Sequence, residues 1–164
     1  MRHDKQFKAR KFVQESYDKN DAWGRKLISE MLAYRGYVVE DKPEDFGIDI
    51  VATREGVTEF FEVEVKHNYP WNNRDDFKFD TVSFLGRKKK WEEDNFWYCI
   101  ICAETEAIIV CRSSSIYKEE YAEIRNVNTS HRSGTDKFYR VPKEKCFFIH
   151  MNMFRDGEDI GTKD

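Results

Sequence analysis

The sequence predicts an α/β domain with a central mixed β-sheet flanked by helices. Three observations lead there. Residues 48–53 and 60–66 alternate apolar and polar side chains with the period of a strand. Residues 96–102 (Phe-Trp-Tyr-Cys-Ile-Ile-Cys) are almost unbrokenly apolar, as in a strand buried on both faces. Stretches with a helical apolar period precede and separate these strands, which places helices on the faces of a sheet.

The 164 residues suit one domain, large enough to bury about two-thirds of its unfolded surface. Residues 1–154 read as that domain and residues 155–164 as a polar tail expected to be disordered. Residues 4–18 carry Phe7, Phe12, Val13 and Tyr17 among charges and predict an extra N-terminal helix. A clearer helix runs from Asp21 to Tyr34, with Gly24, Ile28, Met31 and Leu32 on its apolar face and Asp21 as its N-cap. Gly36 is its stop. A first strand follows over 36–40, then a loop over 41–46.

Glu55-Gly56 predicts a two-residue hairpin loop. It pairs Arg54 with Val57, Ile50 with Phe61 and Ile48 with Val63. Residues 67–74 are rich in turn formers, and Tyr69, Trp71 and Arg74 there are either packing anchors or contacts to bases and phosphates. Residues 81–94 predict a helix carrying the basic run Arg87, Lys88, Lys89 and Lys90. That run is either a phosphate-binding surface or a solvated helix face. Gly86 before it would admit a close backbone approach. Residues 107–111 form another strand, 113–120 a short helix capped by serines, 127–137 a polar loop, and 138–141 and 146–150 closing strands.

In the strand at 60–66, Phe61, Val63 and Val65 point to the core, and Glu62, Glu64 and Lys66 to the other face. The hairpin register sets Asp49 opposite Glu62 and diagonal to Glu64. A one-residue slip would bury Asp49 among apolar residues, so the pattern selects this register. Two close carboxylates provide hard oxygens for Mg²⁺, with Mn²⁺ able to substitute. Such a metal lowers the pKa of a bound water and neutralises phosphate charge, while an adjacent lysine orients the water or stabilises the phosphate oxygens. Simpler readings exist: a helical i,i+4 pair between Glu62 and Lys66, or charges that protect an edge strand.

Gly47-Ile48-Asp49 followed fifteen residues on by Glu64-Val65-Lys66 resembles the PD-(D/E)XK nuclease signature. The resemblance spans roughly residues 23–111, and Ile48 stands where the motif has proline. It implies a restriction-endonuclease-like α/β/α core, and a DNA endonuclease of restriction, homing or junction-resolving type. Asp49 and Glu64 would hold the metal with the carbonyl of Val65 as a third ligand, and Lys66 would act on the water or the phosphorus. Family members often draw a further acid from the first helix, and Asp21 is the candidate. The alternative is a catalytically silent nucleic-acid-binding module of the same fold, or a structural protein with a coincidental motif.

A net charge of −3 excludes a protein that coats nucleic acid generally, so DNA contacts must come from segregated basic patches. No stretch has the length of a membrane span and the polar start has no signal-peptide core, so no membrane partner is expected. Four scattered cysteines predict a reducing, cytoplasmic compartment. Cys99 and Cys102 have zinc-knuckle spacing, but on a strand they point to opposite faces and read as buried thiols. One catalytic set per chain, and an aromatic load of 13 Phe, 8 Tyr and 4 Trp, predict a homodimer or higher homo-oligomer, with Phe7 and Phe12 covering a partner.

Overall fold

The computed structural model describes residues 14–40, 48–67, 69–86, 95–129 and 132–155. Helix α1 (Gln14–Tyr34) leads into strands β1 (Val38–Val39), β2 (Ile50–Arg54) and β3 (Val57–Lys66). Strands β4 (Thr81–Leu85), β5 (Phe96–Cys102) and β6 (Ala107–Arg112) follow, then the short helix α2 (Ser113–Ile116). The chain closes with β7 (Ala122–Thr129), β8 (Arg132–Pro142), β9 (Phe147–His150) and helix α3 (Asn152–Arg155). Among the described residues the strands form a six-stranded sheet, β1-β2-β3-β5-β6-β9, and a three-stranded sheet, β4-β8-β7. In the larger sheet β3 and β5 run parallel and the other neighbours antiparallel, so it is mixed as expected.

The central strands bury both faces, and their alternation sorts residues into two cores. Cys99, Ile101, Ile108 and Val110 join Leu27, Ile28, Met31 and Leu32 of α1 on one side. Tyr98, Ile100, Cys102, Ile109 and Cys111 meet Val82, Phe84, Tyr139 and Val141 of the smaller sheet on the other. The second face is thus covered by strands where helices were expected. Cys99 and Cys102 fall in opposite cores, as strand geometry requires.

The hairpin forms in the expected register, from Arg54↔Val57 to Ile50↔Phe61. Glu55 and Gly56 both take positive φ, 54° and 81°, the conformation that matches a tight turn to strand twist. Gly36 ends α1 at φ 90°, with Tyr37 N–H reaching back to the Leu32 carbonyl at 3.0 Å.

Four expectations are corrected. The first helix is continuous from Gln14, so residues 14–18 belong to it and Asp21 is an interior residue, not an N-cap. Thr81–Leu85 is a strand: Val82 and Phe84 are buried while Thr81 and Ser83 between and beside them are not, a two-residue period that the following basic run obscured. Of the polar stretch 127–137, residues 127–129 and 132–137 lie on β7 and β8, paired from Val127↔Gly134 to Thr129↔Arg132, and residues 130 and 131 lie outside the described residues. Arg155 closes α3 and holds Glu30, so the ordered fold includes it. Phe7, Phe12 and residues 156–164 lie outside the described residues.

Candidate active site

The face of the larger sheet opposite α1 is apolar along β5 and β6 and charged along β3. Glu62, Glu64 and Lys66 follow one another there at the two-residue strand period. Glu62 is 4% exposed, so only the last two reach an accessible surface. Lys66 Nζ lies 2.9 Å from Glu64 Oε2, and the two side chains are 31% and 27% exposed. Burial alone would push the Lys66 ammonium down. The charge and hydrogen bond of Glu64, helped by Tyr69, outweigh that effect, and the net shift is upward from 10.5. Lys66 is therefore a cation at neutral pH.

Asp49 immediately precedes β2, and continuing the register by one residue sets it across from Glu62. Its Oδ2 accepts the Val63 N–H at 2.8 Å, taking the place of the carbonyl that a longer β2 would have offered. Ile48 accordingly does not pair with Val63 as a strand residue. The bond occupies part of the capacity of a carboxylate, which has about four lone-pair sites. The Lys66 carbonyl bonds Ala103 N–H at 2.9 Å on the β5 side. By strand alternation the Val65 carbonyl projects to the opposite flank, the one Asp49 occupies.

Beyond Lys66 opens a cleft of about 410 Å³ between β3 and the smaller sheet. Its lining contributes three cations, Lys66, Arg125 and Arg140, together with Tyr69 and Phe79, and no carboxylate among the described residues. Arg125 is held by Ser83 Oγ at 2.8 Å and Glu123 Oε1 at 3.1 Å, with its guanidinium 4.4 Å over the Phe138 ring. Arg140 donates to Thr81 Oγ1 at 3.2 Å and lies 3.7 Å from Glu123 Oε2. Arg125 precedes the stretch 127–137 that reads as a loop and Arg140 lies on the expected strand 138–141, and neither stands out in the sequence as a site residue. The signal that could have found them is the alternation Glu123-Ile124-Arg125, which a strand turns into one charged face.

The remaining candidates fall differently. Trp71 is 1% exposed and packed edge-on against Phe77, so no ring face is left for a base to stack on. Arg74 gives Nη2 to the Cys146 carbonyl at 2.6 Å and lies 5.1 Å over the Phe148 ring, which makes it a structural tie. Gly86 does meet a backbone closely, but its neighbour is the Lys137 carbonyl, 2.5 Å from where a Cβ would sit. Arg87, Lys88, Lys89 and Lys90 lie outside the described residues, as does the side chain of Asp21.

Among the described residues no three His, Cys, Asp or Glu side chains gather as a metal cluster. Asp49, Glu64 and the Val65 carbonyl are oxygen donors of the kind Mg²⁺ takes, a cation commonly held by one or two carboxylates that completes its shell with water and substrate phosphate. No described helix is long and apolar enough to cross a membrane. Comparison with protein-family models and with curated protein sequences gave no match to this chain.

Proposed function

We propose that the chain is a Mg²⁺-dependent DNA endonuclease of the restriction-endonuclease-like group. The observation that carries this reading is the Glu64–Lys66 pair beside a cleft whose described lining holds Lys66, Arg125 and Arg140, with Glu123 behind the two arginines. An anionic backbone is drawn to such a cleft, and the acidic flank beside it is where a divalent cation would be held. The helix, the antiparallel hairpin and the parallel strand after it also accord with that fold, while the strand-built second layer is a departure from it.

In this mechanism Arg125 and Arg140 grip phosphates on either side of the scissile bond. Lys66, kept protonated by Glu64, stabilises the non-bridging oxygens as charge builds on them. Asp49 and Glu64, with the Val65 carbonyl, would hold the metal, which supplies an activated water and neutralises phosphate charge. Two-strand cleavage needs two such sites, and we extend the proposal to a homodimer.

The test is incubation with supercoiled plasmid, four-way junctions and single strands, with Mg²⁺, with Mn²⁺ and with chelator. Metal-dependent scission that Glu64→Gln and Lys66→Met both abolish is the expected result. Binding without scission under every condition would replace the enzyme with the silent binding module, and absence of binding would remove both.

A further inference from the structure

Strand β7 is an edge of the smaller sheet. Among the described residues β8 pairs along one side of it and no strand along the other. It has eight residues, where the edges β1, β4 and β9 have two, five and four. Soluble proteins blunt exposed edges with prolines, lysines, bulges or short strands. Ala122–Thr129 contains no proline and no lysine, and it pairs with β8 rung by rung without a bulge. On it stands Ile124, an apolar side chain that is 63% exposed.

The backbone of Ile124 also faces outward. A Cβ on Gly86 would stand 2.5 Å from the Lys137 carbonyl oxygen, so that carbonyl points to the β4 side of β8. Lys137 is the rung partner of Ile124. In an antiparallel rung whose two residues do not bond each other, both turn their N–H and C=O away. Ile124 therefore presents a donor and an acceptor along the open flank of β7.

We propose that β7 pairs antiparallel with β7 of a second copy of this chain, with Ile124 at the two-fold axis. A two-fold axis normal to the sheet sets one residue opposite its own counterpart. Centred on Glu123 or on Arg125, the pairing would oppose like charges, which destabilises a rung. Centred on Ile124, it opposes Glu123 to Arg125 of the partner subunit, and does so twice. Glu123 and Arg125 already lie 3.1 Å apart on one face of one strand, so the four side chains close a ring of alternating charge. On the other face the two isoleucines cover each other. The strands then form one continuous sheet, β4-β8-β7 followed by its symmetry copy, with both copies of Arg125 on the same face. This pairing supplies an interface for the homodimer proposed above, and it rests on the strand edge, not on the nuclease reading.

The experiment is disulfide capture of the whole chain in solution. All four native cysteines are buried, so a new thiol on the edge reports alone. Ile124→Cys brings two thiols onto one hydrogen-bonded rung, where Cα atoms lie about 5.5 Å apart and a disulfide closes without strain. Mild oxidation with diamide should convert this variant to a covalent dimer that reductant reverses. Asn126→Cys is the register control, because its rung partner is Ala122 of the partner subunit. It should crosslink at most about a tenth as fast. Light scattering should give the parent twice the mass of one chain. Glu123→Arg should raise the dimer dissociation constant at least about tenfold, and the exchange Glu123→Arg/Arg125→Glu should restore it. Should the charge variants not fold, the two cysteine variants decide alone. A parent that stays monomeric at about 0.1 mM overturns the proposal and leaves the edge to a strand of other origin. Equal crosslinking at 124 and 126, or a folded charge exchange that stays monomeric, overturns it too. No scission is read, so failure here and failure of the nuclease reading are distinct results.

Discussion

Gly24 of α1 lies directly behind Val65 of β3, so close that a Cβ on Gly24 would stand 2.9 Å from Val65 Cγ2 and 3.2 Å from Val63 Cγ1. The glycine lets the helix settle on the strand whose other face carries Glu64 and Lys66.

Gly24→Ala sets two effects against each other. Alanine improves helix propensity by about 1 kcal/mol. Overpacking against a stiff, β-branched neighbour costs about 1–3 kcal/mol. The clash wins, and denaturant unfolding should show a net loss of about 1 kcal/mol. A variant more stable than the parent would show that the helix does not approach so closely.

Glu64→Gln and Lys66→Met should each lower scission by on the order of 10²–10³ while leaving the unfolding midpoint within a few degrees. Because its pKa is raised above 10.5, Lys66 stays charged through the neutral range. The rate should therefore show no break attributable to Lys66 between roughly pH 6 and pH 9. A pH–rate break in that window that vanishes in Lys66→Met would mean the lysine titrates in the reaction.

Replacing Arg125 and Arg140 with Gln should weaken DNA binding at every sequence alike. The slope of log K against log salt should flatten by about 0.9 for each phosphate that the protein no longer neutralises. An unchanged slope, measured by fluorescence anisotropy on a labelled duplex, would mean that the cleft does not receive the backbone.

Arg155 ties the C-terminal end of the fold to α1, donating Nε and Nη2 to the two oxygens of Glu30 at 2.9 and 2.7 Å and Nη1 to Glu106. The hydrogen bond from Arg155 is the main reason that the Glu30 pKa falls below 4.5. A depressed carboxylate stabilises the fold above its unfolded pKa, and that contribution fades as pH falls through the folded value. Arg155→Ala should cost about 0.5–1 kcal/mol at pH 7, a partly exposed pair being screened by solvent. The gap between the two melting temperatures should close in strong acid. A gap that persists there would mean that Arg155 acts through packing.

All four cysteines are free and buried. Burial pushes the Cys99 thiol up, and a hydrogen bond with Cys111 together with burial does the same for Cys146. A thiol reagent at neutral pH should label the native protein hardly at all and label four sites once it is unfolded. Fast labelling of one thiol in the native state would place that residue at a surface.

The charged face of β3 was legible because its strand period is strict and its turn is chemically defined. Only one register of Ile50 and Phe61 keeps both in the core, and Glu55-Gly56 can supply the positive φ values. The start of α1 was not legible, since an aspartate at position 21 suits a cap and a site within a helix alike. The β7–β8 ribbon was hidden for a different reason. Part of it runs past β4 and carries polar residues, so no apolar alternation marks it, and Arg125 was hidden with it, whereas Arg140 lies beside β4 on the expected strand 138–141. Trp71 shows the limit of composition, because an aromatic in a turn-rich loop reads the same whether it anchors the loop or stacks on a base.

The parallel pairing of β3 with β5 has a consequence for how the molecule is made. During synthesis the hairpin of β2 and β3 can close as soon as it emerges, since its pairing is local. The flank of β3 that receives Phe96–Cys102 must wait for those residues, and β5 in turn is flanked by β6, whose own outer neighbour is Phe147–His150 near the far end of the chain. Glu64 and Lys66 are therefore translated early and seated late. A chain stopped before Phe96 would leave one edge of β3 open for aggregation, with Glu64 and Lys66 on it.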